Sequence, residues 1–506
     1  MKRIRIILLA MVVIMMSLFL SSCKKEEITI ASRVVREDGN TYIEVDGKPF
    51  TYIGIQLRTD AFMNCEYKTA SELEPYFQLT SNLNINTIQL PIDWRDIETD
   101  EDVYDYSVIK TFLDLALKYN LKVEFLWFST NMCGETHTYH VPDYIIDDPV
   151  KYPRYNSEYT GNFHKYYGYL FHLEFGNDNL LERETKVAKN IMNFVDKWNK
   201  ENGKPNTLIG IQVHNEPDCF PLWRVGHNQI YVLKDGVQIT EDEARAEVNK
   251  ALDCVGKAFK STSYKLYTRV NFALANDMND YIESVFNLEG IDIVGDDPHN
   301  SDISVIDYAM NQYSISGNFP HVAENRASFE NTNSLILKTI SNGGGYIMYE
   351  VATSQFFIQN SNGGESDPDY GLYKTDLTLK SHTLGVGKFL KMLNESGYDV
   401  VTQKKENFYA FNVDTSSPKK DYEKNVLIND NTYTYKTENG AIGYLINCDN
   451  YIIVASTGNS KLSNIPSCSI EKGVFVNGVF NANETIVLDN NTLNLDEYCV
   501  YKISFK

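Results

Sequence analysis

Thr207-Leu208-Ile209-Gly210-Ile211-Gln212-Val213-His214-Asn215-Glu216-Pro217 is an apolar, β-branched run that ends on an amide, an acid and a proline. The run reads as a strand over 207–214. Seven more runs of the same kind stand at 52–58, 86–92, 121–128, 264–271, 290–296, 319–324 and 345–351. Amphipathic stretches such as 70–82, 107–119, 180–200, 242–260 and 328–341 lie between them. A β-α unit repeated in this way implies the α/β class, as a closed parallel (β/α)8 TIM barrel rather than an open sheet. Most strand-to-strand intervals are 26 to 35 residues, but the third is 86 and the fourth 57. Both long loops follow strands, so both belong to the C-terminal face, where such barrels do their chemistry.

Working outward, Thr41–Tyr52 reads as a hairpin turning at Asp46-Gly47 that plugs the bottom of the barrel. Beyond an amphipathic helix at 382–396, short alternating strands with Asn, Asp and Gly turns, for example 441–446, 450–456, 473–480 and 497–505, read as a C-terminal β-sandwich. At the other end Lys2, Arg3 and Arg5 precede an apolar run from Ile6 to Leu20, then Ser21-Ser22-Cys23. That run is short for a spanning helix and suits a secretory signal. The ending resembles a bacterial lipobox, which implies cleavage before Cys23 and lipidation of its thiol. The expected organisation is a signal peptide at 1–22, a tether at 23–40, the barrel with its hairpin at 41–396 and the sandwich at 397–506. The expected location is a bacterial cell-envelope membrane, the outer membrane, facing either the periplasm or the outside.

The chain's 506 residues, 43% of them hydrophobic, suffice for a large core, and no segment reads as low-complexity. A net charge of −21 repels a nucleic-acid backbone, so nucleic acid is excluded as a partner. Apart from Cys23 the cysteines are Cys65, Cys133, Cys219, Cys254, Cys448, Cys468 and Cys499. Their spacings form no disulfide framework or zinc signature, although a pair among Cys448, Cys468 and Cys499 is open to an exported protein. His137 and His140 are the only close histidine pair and read as hydrogen-bonding residues, so no metal and no cofactor are expected.

Glu216 ends the fourth strand beside Asn215, which places an acid on the barrel rim with an amide able to bond a sugar hydroxyl. Phe319-Pro-His-Val-Ala-Glu324 ends the seventh strand and supplies a second carboxylate. A pair flanking one glycosidic bond at about 5 to 5.5 Å performs retaining hydrolysis, with Glu324 as nucleophile and Glu216 as acid/base. Glu350, on the eighth strand, is the rival nucleophile and otherwise a substrate contact.

These acids belong to a wider likeness. Asn86-Thr-Ile-Gln89, Trp94, Glu98 and Tyr104-Asp-Tyr-Ser107, then Met132-Cys133-Gly134-Glu135 with Val141-Pro142, Asp46-Gly-Lys-Pro-Phe-Thr-Tyr-Ile53, and Gln212-Val-His-Asn-Glu216 resemble the family 35 β-galactosidases of glycoside hydrolase clan A. The resemblance covers about residues 41 to 396. It implies Glu216 as acid/base, Glu324 as nucleophile, and Asn215, Cys133 and Glu135 as pocket residues. The chain departs from the pattern at Pro91, at His214 and in Asn325-Arg-Ala-Ser328, which loosens the preference for galactose.

Four further expectations concern the rim. Arg58 ends the first strand and binds substrate or stabilises the nucleophile. Trp127, Trp223 and the tyrosines at 155, 159, 166, 167 and 169 form a stacking wall for sugar rings. Asp296-Asp297-Pro298-His299 ends the sixth strand and orients the nucleophile or binds substrate. The insertions after strands three and four wall off a pocket. The sequence therefore predicts a retaining, exo-acting β-glycosidase, β-galactosidase-like, acting on oligo- or polysaccharides. An endo-acting clan A glycanase and a non-catalytic glycan-binding surface lipoprotein are the alternatives.

Overall fold

Eight parallel strands close on themselves: β1 (Ile53–Gln56), β2 (Thr87–Ile92), β3 (Lys122–Trp127), β4 (Leu208–Val213), β5 (Tyr267–Phe272), β6 (Ile293–Asp296), β7 (His321–Arg326) and β8 (Gly345–Tyr349). Each runs beside its neighbour in sequence, and β8 pairs with β1. The computed structural model describes residues 28–129, 140–159, 172–218, 230–234, 237–273, 279–315, 317–360 and 369–505. Around the barrel stand α1 (Glu74–Asn82), α2 (Ser107–Lys118), α3 (Asp178–Glu201), α4 (Glu241–Lys260), α5 (Asn279–Phe286), α6 (Ile303–Tyr313), α7 (Thr332–Ser341) and α8 (Thr383–Glu395). The starts of these helices follow local chemistry. Thr240 and Glu243 cap α4 reciprocally, and the Asn177 side chain accepts from the Leu180 N–H at the head of α3.

The entry hairpin turns at Asp46 and Gly47, whose φ angles of 53° and 72° suit a two-residue loop between paired Val45 and Lys48. Its Ile43 and Val45 join Tyr52, Ile209, Tyr267, Ile293, Phe319 and Ile347 in one apolar layer that closes the bottom of the barrel. The tether expected at 23–40 is folded from its sixth residue onward as far as it is described. Thr29–Ile30 pairs with Tyr264–Lys265, and Ser32–Glu37 forms a third strand against the hairpin. The reason is alternation: Val34 and Val35 face opposite sides of a strand, and Val35 is buried.

Above the apolar layer the interior becomes charged. Glu124 of β3 and Arg269 of β5 form an ion pair at 2.7 Å with both side chains fully buried. The Tyr52 and Tyr267 hydroxyls donate to the other oxygen of Glu124 at 2.7 and 2.8 Å. Gly210 of β4 makes room, since a Cβ there would lie 2.3 Å from the Tyr267 ring. Burial works against the Arg269 cation, and Glu124 more than offsets it, so the guanidinium pKa rises.

The terminal domain is a sandwich of a six-stranded and a four-stranded antiparallel sheet. The central strands of the larger sheet are buried on both sides, and its edge strand Val479–Ile486 is largely exposed. Leu445, Ile452, Val454, Tyr501 and Ile503 face the sandwich core, whereas Tyr444, Ile446, Ile453, Ala455 and Val500 join the core of the barrel. The strand expected at 473–480 is instead a hairpin of Cys468–Val476 and Val479–Ile486, because Asn477 and Gly478 take positive φ and turn the chain. No disulfide joins Cys448, Cys468 and Cys499. Among the described residues no helix is long and apolar enough to cross a membrane.

Removing one member of the buried ion pair strands the other. Arg269→Met should cost about 3–5 kcal/mol of stability in denaturant unfolding, and adding Glu124→Gln to that variant should recover part of the loss.

Candidate active site

The C-terminal end of β4 is wound tightly. His214 and Glu216 both adopt left-handed φ, 61° and 43°, a region that non-glycine residues occupy at a cost. Hydrogen bonds from opposite sides hold this turn. His214 Nε2 meets Glu184 Oε1 of α3 at 3.0 Å, which draws that imidazole toward the outer helices. The Glu216 peptide N–H donates to Asn271 Oδ1 of β5 at 3.2 Å. Asn215 is buried beneath this turn, and Glu216 is half-buried at the rim.

From that turn a chain of side-chain amides crosses the barrel. Strand register makes Gln56 and Gln89 partners, and Gln89 and Glu124 partners, so their side chains share one layer. Gln89 Nε2 donates to Glu124 Oε1 at 2.8 Å and to Gln212 Oε1 at 2.7 Å. Gln212 Nε2 in turn donates to Asn271 Oδ1 at 2.6 Å and to Asn215 Oδ1 at 3.0 Å. On the other side Gln56 Nε2 donates to Gln89 Oε1 at 2.7 Å and to Glu324 Oε1 at 2.9 Å. Glu324 on β7 and the Asn215-Glu216 turn after β4 are thus the two ends of one hydrogen-bonded chain. Asn271 Nδ2 extends it to Asn215 Oδ1 and to Asp297 Oδ2, just past β6.

The rim next to Glu324 is cationic and aromatic. Arg58 is buried, clasps Asp60 with two nitrogens at 2.9 and 2.8 Å, and donates to the Tyr349 hydroxyl at 2.9 Å. Its guanidinium lies over the rings of Phe128 and Phe357. His299 Nε2 is 3.8 Å from Glu324 Oε2, and its ring meets Tyr349 edge-on. Desolvation and then the Arg326 cation lower the His299 pKa to about 4, so the imidazole beside Glu324 is neutral near pH 7. Among the described residues no group of His, Cys, Asp and Glu side chains is arranged to hold a metal ion.

Glu216, Glu324, Asn215, Arg58 and His299 lie at or just past the C-terminal ends of barrel strands, around one mouth. Trp127 does not join them. It is fully buried on the outward face of β3, packed on Trp94 and Phe259, and its Nε1 donates to Glu184 of α3 at 2.7 Å. Strand alternation is the reason: with Glu124 inside the barrel, Trp127 three residues on must face the helices. Glu350 is also fully buried, and its charge acts on Tyr76 of α1, outside the barrel wall. Cys133, Glu135, Trp223 and the tyrosines at 166, 167 and 169 lie outside the described residues, as does Cys23 with the leader. Tyr155 and Tyr159 belong to Arg154–Tyr159, which pairs with Ile230–Lys234, so the insertions after β3 and β4 share one antiparallel sheet.

Sequence reading did not single out Gln56, Asn271 or Tyr349 as site residues, and took Gln89 and Gln212 only as parts of motifs. The available signal was polar residues at every second position near strand ends, in runs otherwise apolar.

A family model described as a domain of unknown function (DUF4978) matches residues 247–418, less than half of the chain. No curated protein matches the sequence. Among solved structures, the chain is similar to the exo-β-1,4-mannosidase Op5Man5 from Opitutaceae bacterium strain TAV5, at 16% identity and a TM-score of 0.49 over 71% of this chain and 62% of that one. It is similar to a β-galactosidase from the psychrophilic Marinomonas ef1 at 11% identity and a TM-score of 0.47, over 68% of this chain and 59% of that one. The chain thus spans less than two thirds of the length of either. A glycoside hydrolase family 30 subfamily 8 xylanase, Xyn30A, from Clostridium acetobutylicum is similar at 12% identity and a TM-score of 0.42, over 89% of this chain and 95% of that one.

A second acidic cluster beside the mouth makes stability depend on pH. Burial alone would lower the His140 pKa, but Asp93 at 2.7 Å, and then Asp60, hold it above 6.5. Burial and then Asp93 push Asp96 up to about 7. Both groups bind protons more tightly folded than unfolded. The His140 contribution is therefore complete below pH 6.5 and lost as pH rises through the raised value. Asp96 adds a loss of the same sign between its unfolded 3.8 and about 7. His299 and His321, held below 6.5 by burial, add stability as pH rises toward that value, so the fall shows above it: unfolding free energy should drop from about pH 6.5 to about pH 9, and Asp93→Asn should shrink that drop.

Proposed function

We propose that this chain is a retaining β-glycosidase in which Glu324 attacks the anomeric carbon while Glu216 protonates the departing oxygen. Glu216 then acts as base for water, which frees the sugar from Glu324 with its configuration kept. The observation that carries the reading is the amide chain joining Glu324 to the Asn215-Glu216 turn. It gives two acids from different strands a fixed relation across one mouth, and such fixing matters because acid, nucleophile and acetal must be aligned before attack. Gln56 directs an N–H at Glu324 and holds one oxygen, while Asn215 lies next to the acid where a sugar hydroxyl would meet it. No cofactor enters this chemistry.

Exo action on terminal sugars, β-galactosidase-like, is supported by the sequence motifs and by the joint sheet of the insertions after β3 and β4. The runner-up, an endo-acting glycanase, is supported by an open groove of about 730 Å³ lined by Ser328, Gln355, Asp369, Lys380 and His382, on the segments that follow β7 and β8. The location proposed is a cell-envelope membrane, reached through acyl chains on Cys23.

Sugar release from aryl β-galactosides, β-glucosides, β-mannosides and β-arabinosides, together with product lengths on oligosaccharides, tests activity and mode. Glu216→Ala should lose about 10²–10⁴-fold in kcat on poor leaving groups, keep activity on activated aryl substrates and be accelerated by azide. Glu324→Ala should lose on the order of 10⁴-fold or more on both. An active Glu324→Ala beside an inactive Glu350→Ala sinks the assignment.

A further inference from the structure

Asp297 is a further carboxyl group at this mouth, and the two-acid mechanism makes no use of it. It follows β6 and is 4% exposed. Its Oδ2 accepts from Asn271 Nδ2, whereas its Oδ1 is buried without a hydrogen-bond partner among the described residues. Asn271 cannot be turned round to change this. Its Oδ1 already accepts from the Glu216 peptide N–H and from Gln212, and its Nδ2 serves Asn215 and Asp297, so all four of its positions are used. With Oδ2 committed as an acceptor, a proton on Asp297 belongs on Oδ1.

We propose that Asp297 is a positioning residue that carries a proton on Oδ1 and donates it as a hydrogen bond to the Glu324 carboxylate, so that the two acids hold one negative charge between them. The inference rests on Glu324 being the nucleophile. Two ionised carboxylates in so dry a space repel each other at high cost, and sharing one proton removes that cost. Burial first, then the charges of Glu324 and Asp296, raise the Asp297 pKa well above 3.8. Arg269 below and the Asn271 amide oppose this without reversing it. From the outer side Tyr313 of α6 faces the same pair of aspartates, and across the mouth His299 is neutral. Asp297 thereby orients Glu324 from the β6 side as Gln56 does from β1, and leaves Glu324 the anion that attacks.

The test uses dinitrophenyl deoxyfluoro-β-glycosides of the galacto and manno configurations, which need no acid catalysis and trap the nucleophile as a stable ester. Labelling of Glu324, mapped by peptide mass spectrometry, comes first. No label, or a label elsewhere, fails the parent reading and this inference with it. Given a label on Glu324, Asp297→Asn, which keeps a neutral donor in place, should label within about threefold of the parent rate and lose the parent's slowing at high pH. Asp297→Ala should label more slowly, by about tenfold or more. Infrared spectra near pH 7 should contain a buried carboxylic-acid band that Asp297→Asn lacks, a readout independent of turnover. An Asp297→Asn variant as slow as Asp297→Ala, an unchanged high-pH limb, or no such band overturns the proposal even with Glu324 labelled.

Discussion

A single carboxylate in the middle of the barrel sets the direction of the chain of amide hydrogen bonds above it. Glu124 has only acceptors, so Gln89 must turn its NH2 toward it, and the Gln89 oxygen is left to accept from Gln56. Gln56 then has one N–H remaining, and it points at Glu324. The second Gln89 N–H meets the Gln212 oxygen, which turns the Gln212 amide toward Asn271, and Asn271 toward Asp297. Amides can be reversed with little change of shape, so a chain of them has no intrinsic direction. One buried anion supplies it. Arg269 and two tyrosine hydroxyls hold that anion in place, which makes an interior charge tolerable at zero exposure. An ordinary barrel of this class fills its interior with branched apolar layers. Here only the bottom layer does so, and the polar layers above it are given over to orienting acids.

The strain at the end of β4 follows from the same network. Two left-handed residues in the space of three would relax unless held, and they are held from opposite sides. Glu184 of α3 pulls on His214 from outside, while Asn271 receives the Glu216 peptide from inside. Glu184 also accepts from Trp127, so the outward face of β3 and the turn after β4 share one anchor. Trp127 thus bears on the site through packing instead of by stacking on a sugar.

The terminal sandwich extends the same core. The central strands of its six-stranded sheet are apolar on both faces, one side for its partner sheet and the other for the barrel, and the Tyr444 hydroxyl bonds Ser396 just past α8 at 2.5 Å. A sheet so placed behaves as a wall of the barrel domain and holds α8 against it. At the opposite pole the entry hairpin closes the bottom with Ile43 and Val45. The hairpin buries surface far from the mouth, whereas the sandwich reaches the head of α6, where Ser416 accepts from the Ile303 N–H and donates to Asp302.

Local pattern was enough for the barrel: eight apolar runs at βα spacing can close in few other ways, and each lies within a few residues of its observed strand. It was also enough for the positions of Glu216 and Glu324, because an acid just past an apolar strand end belongs on the rim. Local pattern could not decide inside from outside at Trp127 or Glu350, since a period of two says which residues share a face and only barrel closure says which face is interior. Nor could it reach Gln56 and Asn271, whose roles come from cross-strand register and from a donor direction passed along from Glu124. Those relations join residues far apart in the chain, so they exist only once the strands have closed.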